Sequence, residues 1–297
     1  MVTDINATQR LGQRLGQQCV AQYQDSEMHS SIDRCAQKYR KMFCDRPISW
    51  DHLQPMNPLR GVTIANYFEA LHHTPDNPET KVSYEQMTLE VQQQYEFSKH
   101  CMGIQFEPWF SRSEPYPTSC SMFEDVHQNH HLYFLPTREF FGESTALANN
   151  NYMLRPTGVL INGYELLIND MFRAIHDLLG HAMQGYSFGP KGEENAWYEH
   201  LQFFSPLARP AITTETRGQN TWVNYGPHLR DRQGGLLAKT DPEWLPPSKR
   251  PFADQKVGLL PPEVSGVSLM CQGDSIWVRQ LEGWTPNLED NSLLLAA

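Results

Sequence analysis

Apolar side chains recur every three or four residues over much of this chain, and the longest such run spans 163–184. Tyr164, Leu167, Ile168, Met171, Phe172, Ile175, Leu178, Leu179 and Ala182 mark it, and their spacing predicts one long helix. Tyr84, Met87, Leu89, Val91, Tyr95 and Phe97 predict another over 83–101, and a third is expected over 193–205. Pro210 suits the first turn of a further helix running through Glu215. Residues 1–45 are polar and read as two helices, 5–24 and 28–44, of an N-terminal extension. Between 104 and 137, Phe106-Glu107-Pro108-Trp109-Phe110 and Glu114-Pro115-Tyr116-Pro117 predict extended or turning chain, because proline steers the residue before it away from the helix. Leu132-Tyr133-Phe134-Leu135 reads as a short buried strand. After 226 glycine and proline become frequent, and the chain is expected to wrap the domain. The expected fold is mainly α: a single helical catalytic domain over 46–297, with a few short strands and extended Pro-rich segments.

Composition narrows the class. A chain of 297 residues with 39% hydrophobic and 20% charged side chains is that of an ordinary soluble globular protein. Its net charge of -10 disfavours binding to phosphate backbones or anionic membranes, which recruit Lys and Arg. No apolar run approaches the ~20 residues of a membrane span. Met1-Val2-Thr3-Asp4-Ile5-Asn6 lacks the basic patch of a signal peptide. The six cysteines form no CxxC pair. Free thiols and a cytoplasmic location are therefore expected, with a small-molecule substrate and neither nucleic acid nor membrane as partner.

The long predicted helix carries His176-Asp177-Leu178-Leu179-Gly180-His181. Metal ligation needs unprotonated imidazoles that converge on one point. On an ideal helix this i,i+5 pair spans about 140°, against about 40° for the i,i+4 pair of HExxH zinc proteases. The two histidines flank the apolar arc, and the short way between them passes over Gly180, Arg173, Asp177 and Asp170. A shared metal is expected over that polar face. Gly180 would leave room beside it and loosen the helix where His181 leans toward His176. A lone histidine is usually an ordinary core or surface group, whereas two at this spacing favour a metal.

Two histidines with one carboxylate form the facial set of non-heme Fe(II) enzymes, which leaves positions open for dioxygen or substrate. Glu193, Glu194, Glu199, His200 and Glu215 follow downstream. Glu215 ranks first and Glu199 second. The stretch Ile212 to Trp222 is dense in polar groups flanked by apolar ones, as in a buried hydrogen-bonded site, and Arg217 or the threonines are placed to orient the carboxylate. Glu193 reads as a solvated helix carboxylate. Glu194 and Glu199 would serve if the site held two metals.

The segment His176 to His181 closely resembles the iron-binding motif of the aromatic amino acid hydroxylases, which reads His-Glu-Leu-Leu-Gly-His. In that family a helix follows and a later glutamate completes the triad. Here Glu215 comes 34 residues after His181, approached by Ile212-Thr213-Thr214. The resemblance covers about residues 164–225. It implies a helical catalytic domain that binds Fe(II) and uses dioxygen on an aromatic or amino-acid-like molecule. Asp177 stands where the family has a glutamate near its pterin and iron. The family's pterin-stacking and substrate-clamping segments have no match upstream, so the reductant, pterin or another, stays open.

Other residues complete the expectations. Asp177 is a candidate acid/base, and Glu199 a candidate base. Arg155 and Tyr116, in proline-bounded loops, are candidate cofactor-binding residues. Arg155 and Arg173 are candidates for a substrate carboxylate. His127, His130 and His131 form a second cluster that more often reflects ordinary hydrogen bonding than metal. There is no Walker loop, GxGxxG or GxSxG. The expected activity is that of a non-heme iron monooxygenase-like oxidoreductase holding Fe(II) with His176, His181 and Glu215. A zinc hydrolase with a metal-activated water is the alternative, and a non-enzymatic protein with a structural metal the third reading.

Overall fold

The structure, a computed structural model, describes residues 27–44, 56–111, 113–140 and 149–267. The expected helix over 5–24 lies outside them. Helix α1 (Glu27–Phe43) buries Ile32, Ala36 and Tyr39 in the main core, so this part of the expected extension packs with the rest.

Helices α2 (Pro58–Ala70) and α3 (Pro78–Cys101) start alike. Asn57 and Asn77 cap them, each followed by proline at the first helical position. The asparagine oxygens accept from the backbone N–H of Arg60, and of Glu79 and Thr80, which have no partner inside a helix. The caps start α3 before its expected 83 and account for α2, which apolar periodicity does not announce. Tyr84, Met87, Val91 and Tyr95 form the fully buried face of α3.

Strands β1 (Gln105–Pro108) and β2 (His131–Phe134) pair in parallel, Gln105 opposite His131. Helix α4 (Ser119–Asn129) crosses between them and buries Met122, Phe123 and Val126. The expected extended stretch is therefore interrupted, at a capping box made by Thr118 and Ser121.

The expected helix over 163–184 opens differently. β3 (Pro156–Ile161) and β4 (Tyr164–Leu167) form an antiparallel hairpin that turns at Asn162 and Gly163, with φ of 51° and 84°. Positive φ at both turn residues is what a tight hairpin demands and what Asn-Gly supplies. Helix α5 (Ile168–His176) follows, then a π turn over Asp177–Ala182, and α6 (Pro190–Leu201). Next come α7 (Arg209–Thr213), a second π turn over Thr214–Gly218, and α8 (Gln219–Tyr225). Residues 226–267 are mostly irregular and wrap back, burying Ala253, Val257 and Leu260.

The architecture is mainly α with a few short strands, as expected. One main core runs from α1 to α7, and a smaller cluster of Ile64, Phe68, Ala253, Leu260 and Val264 lies against α2. Among the described residues no helix is long and apolar enough to cross a membrane. Cys35, Cys44 and Cys101 form no disulfide. Cys120 departs from that expectation, being disulfide-bonded.

Candidate metal centre

His176 closes α5 and His181 sits in the π turn beyond it. In this turn the Met183 N–H reaches back five residues to the Leu178 carbonyl, at 3.0 Å. A wider turn holds more residues per circuit, so side chains five apart come onto one face. The wide separation of an ideal helix therefore closes. The rings lie 5.2 Å apart between centroids and at 90° to each other.

Glu193, in the first turn of α6, completes the group. Its Oε2 is 3.4 Å from His181 Nε2 and 3.9 Å from His176 Nε2. The three donor atoms all lie within 4.8 Å of one another, the one such His/Cys/Asp/Glu group capable of holding a metal among the described residues. The carboxylate that the structure brings to the histidines is thus Glu193 rather than Glu215. Two glycines explain how it gets there. A Cβ on Gly180 would sit 3.0 Å from the Ala196 carbonyl oxygen, and one on Gly192 1.7 Å from that of Ser187. The room left by Gly180 is taken up by α6 and the His176 ring, and that close approach carries Glu193 to the site.

His181 Nδ1 lies 3.2 Å from the Tyr186 carbonyl oxygen. A carbonyl only accepts, so Nδ1 carries the proton and Nε2 turns a lone pair toward Glu193 when the ring is neutral. Burial opposes the charged form of His181, but the Glu193 carboxylate outweighs it and lifts the pKa to about 9. Glu193 answers in the opposite sense. Burial pushes it up, and the two imidazoles pull it down harder, to about 2. Without a metal, a proton on His181 supplies the positive charge that this carboxylate requires.

The group lines a cavity of about 310 Å³, at the small end of the range for small-molecule sites. Phe172, Arg173, Asp177, Glu215 and Phe252 share its wall. Burial pushes Asp177 up against the pull of His181, His176 and Arg173. Arg173 feels the carboxylates of Asp177, Asp170, Glu114 and Glu193. Glu215 accepts from the Tyr84 hydroxyl at 2.5 Å and from Gln219 Nε2 at 2.6 Å. Burial lifts it to about 7, with both hydrogen bonds opposing. It therefore faces the same space as the histidines, outside the metal-holding group.

Other expected site residues lie elsewhere. Glu199 pairs with Arg40 at 3.7 Å and accepts from Gln202, on the face of α6 that meets α1 and away from the cavity wall. Tyr116 donates to Asp125 Oδ2 at 2.6 Å, and Arg155 stacks over the Tyr152 ring at 3.9 Å. Neither lines the cavity. Arg217 grips Glu194 with two hydrogen bonds, of 3.0 and 2.7 Å, and donates to the Ser265 carbonyl, so it orients Glu194 and not Glu215. The second histidine cluster disperses. His127 packs against Phe123 with the rings tilted at 46°, His130 faces the Met102 carbonyl, and His131 Nδ1 lies 2.7 Å from Asp125.

Nothing in the sequence marks Tyr84, Gln219 or the Tyr186 carbonyl, whose roles depend on long-range packing that spacing does not report. No family model, curated protein or solved structure matches the chain.

Proposed function

We propose that this chain is a non-heme Fe(II)-dependent oxidoreductase of monooxygenase type, acting on a small aromatic or amino-acid-like molecule. The observation that supports it is the convergence of two imidazole Nε2 atoms and one carboxylate oxygen on the wall of a small-molecule-sized cavity. Two imidazoles and a carboxylate, without sulfur, suit Fe(II). Bound there, Fe(II) would supply a centre for activating dioxygen. His176, His181 and Glu193 would hold it from one side, leaving the cavity side for substrate. Arg173 offers charge to an anionic group of the substrate. Asp177 and Glu215, both shifted toward their protonated forms, can hold or return a proton at the cavity. Phe172 and Phe252 give the wall its apolar part. Arg155 and Tyr116 have no part in this reading, and no pterin contact is built on them.

A zinc hydrolase is the second reading, because the same donors accept Zn(II), and Asp177 and Glu215 stand where a water proton would be taken. Anaerobic reconstitution decides between them. The iron reading expects a ferrous protein that gives an Fe(II)-nitric oxide adduct and consumes oxygen, with metal uptake lost in His176→Ala and His181→Ala. Hydrolysis with Zn(II) and no oxygen consumption with Fe(II) would establish the second reading, and full iron retention by the histidine variants would sink both.

A further inference from the structure

We infer that Gln94 and His200 are positioning residues that fix the tautomer of His176 and so aim its Nε2 lone pair at the metal-holding group; the inference rests on His176 being a ligand. The chain of contacts begins deep in the core. Gln94 and His200 are buried, with 1% and 0% of their surface exposed. Gln94 Nε2 lies 2.9 Å from the Phe203 carbonyl oxygen. A carbonyl can only accept, so the amide nitrogen must face it, and the amide oxygen must point the other way. That oxygen lies 3.0 Å from His200 Nε2. An amide oxygen also only accepts, so His200 Nε2 carries a proton.

Neutral His200 then has its lone pair on Nδ1. This atom lies 3.1 Å from His176 Nδ1, and two ring nitrogens at that distance share one proton. His200 cannot supply it without becoming an imidazolium. Its surroundings refuse that charge. Phe172, Phe203 and Phe204 pack around the ring at 6.0, 6.5 and 5.0 Å between centroids. Its two hydrogen-bond neighbours are a neutral amide and an imidazole, and no carboxylate among the described residues is hydrogen-bonded or ion-paired to it. The proton therefore belongs to His176 Nδ1. His176 Nε2 is left bare on the side of Glu193, 3.9 Å away. Reversing any one link places two acceptors or two donors against each other, which in a buried site costs a hydrogen bond and the desolvation of both groups.

α3 thus reaches the centre without touching it. Gln94 sits on the same buried face as Tyr84, the residue that donates to Glu215. Outer hydrogen bonds of this sort tune a ligand's orientation and basicity, and losing them commonly costs about 10–100-fold in metal affinity.

Nitrogen NMR of the histidine-labelled, metal-free protein tests the inference directly. The expected spectrum of the neutral His176 ring shows a protonated Nδ1 and a bare Nε2. Gln94→Met should give a mixed tautomer at His176 and weaken Fe(II) or Zn(II) binding about 10–100-fold in a chelator competition, with the fold retained by circular dichroism. If that variant does not fold, His200 decides. His200→Leu should lose the tautomer, and His200→Asn, whose amide oxygen can replace the imidazole acceptor, should restore it along with metal binding. A wild-type His176 protonated at Nε2, or a Gln94→Met protein with unchanged tautomer and affinity, overturns the inference. The expected tautomer in a protein that takes up neither metal would uphold the relay and sink the metal reading instead.

Discussion

At the scale of single residues, the proposed metal would compete with a proton for the same carboxylate. His181 holds a proton up to about pH 9, and Glu193 stays ionised down to about pH 2. A metal must displace that proton. Apparent metal affinity should therefore rise with pH and level off near 9, changing about tenfold per unit below it; titration in lightly buffered solution should show proton release on binding. The metal-free fold feels the pair differently. His181, raised above its ordinary 6.5, stabilises the fold below that value and loses its effect as pH rises through about 9. Glu193, depressed from 4.5, stabilises above that value and loses its effect as pH falls through about 2. Metal-free protein should gain most from the pair between these ranges, and thermal melts across pH would show it. Replacing His181 with Gln should flatten that dependence.

The two glutamates also separate at this scale. Glu193→Gln should abolish metal uptake. Glu215→Gln should leave uptake within a few fold and act on turnover instead. A Glu215 variant unable to take up metal would restore the ligand set suggested by the resemblance. Spacing favours Glu215, because its polar neighbourhood looks like a site; the structure puts it on the cavity wall with Gln219, held from the core side by Tyr84. Glu193 looked like a solvated helix carboxylate because nothing local distinguishes it. Its place is decided by Gly180 and Gly192, which let α6 approach across a gap that sequence distance does not measure.

At the scale of elements, caps and turns carry what apolar periodicity lacks. Asn57-Pro58, Asn77-Pro78 and the Thr118–Ser121 box mark where three helices begin, and each was legible as capping chemistry. Asn162-Gly163 was equally legible as a hairpin turn. It is masked by Tyr164 and Leu167, whose spacing continues the helical pattern of 168–182. The π turn was not legible at all, since one extra residue in a helical circuit has no composition of its own. The approach of α6 to that turn is testable. Gly180→Ala would force its Cβ against the Ala196 carbonyl oxygen and His176 Nδ1, 3.0 and 3.2 Å away. Metal affinity should fall at least tenfold, with a smaller loss of stability of about 1–3 kcal/mol, measured by competition and by urea unfolding.

At the scale of the whole molecule, the mainly α architecture followed from period and length alone, while the burial of α1 against the main core did not. Ile32, Ala36 and Tyr39 are too few apolar residues to announce a core helix among polar neighbours, yet all three are buried. Arg217 shows how the stretch around Ser265 is fastened. It holds Glu194 of α6, covers the Trp197 ring at 4.4 Å and reaches the Ser265 carbonyl. Arg217→Met should cost about 3–5 kcal/mol, because it leaves the Glu194 carboxylate unpaired in a largely buried place. Chemical denaturation would measure it, and a second change of Glu194 to Gln should recover part of the loss.

The π turns have one more consequence, in terms of insertion and deletion. A π turn is an α-helix with one residue too many. Removing any one residue between 177 and 180 would let the circuit close and bring His181 from fifth to fourth place after His176. The next helix would turn with it, by about 100°. A deletion between 216 and 218 would turn α8 in the same way, while Gln219, moved from fourth to third place after Glu215, would stay beside it. Single deletions between 177 and 180 should weaken metal uptake by turning Glu193 away from a histidine pair that stays on one face at i,i+4 spacing, whereas deletions in the exposed stretch 232–235 should be tolerated. Over these windows the molecule counts its residues one by one, and a chain shorter by one between 177 and 180 would keep its histidine pair but need its third ligand from another side chain.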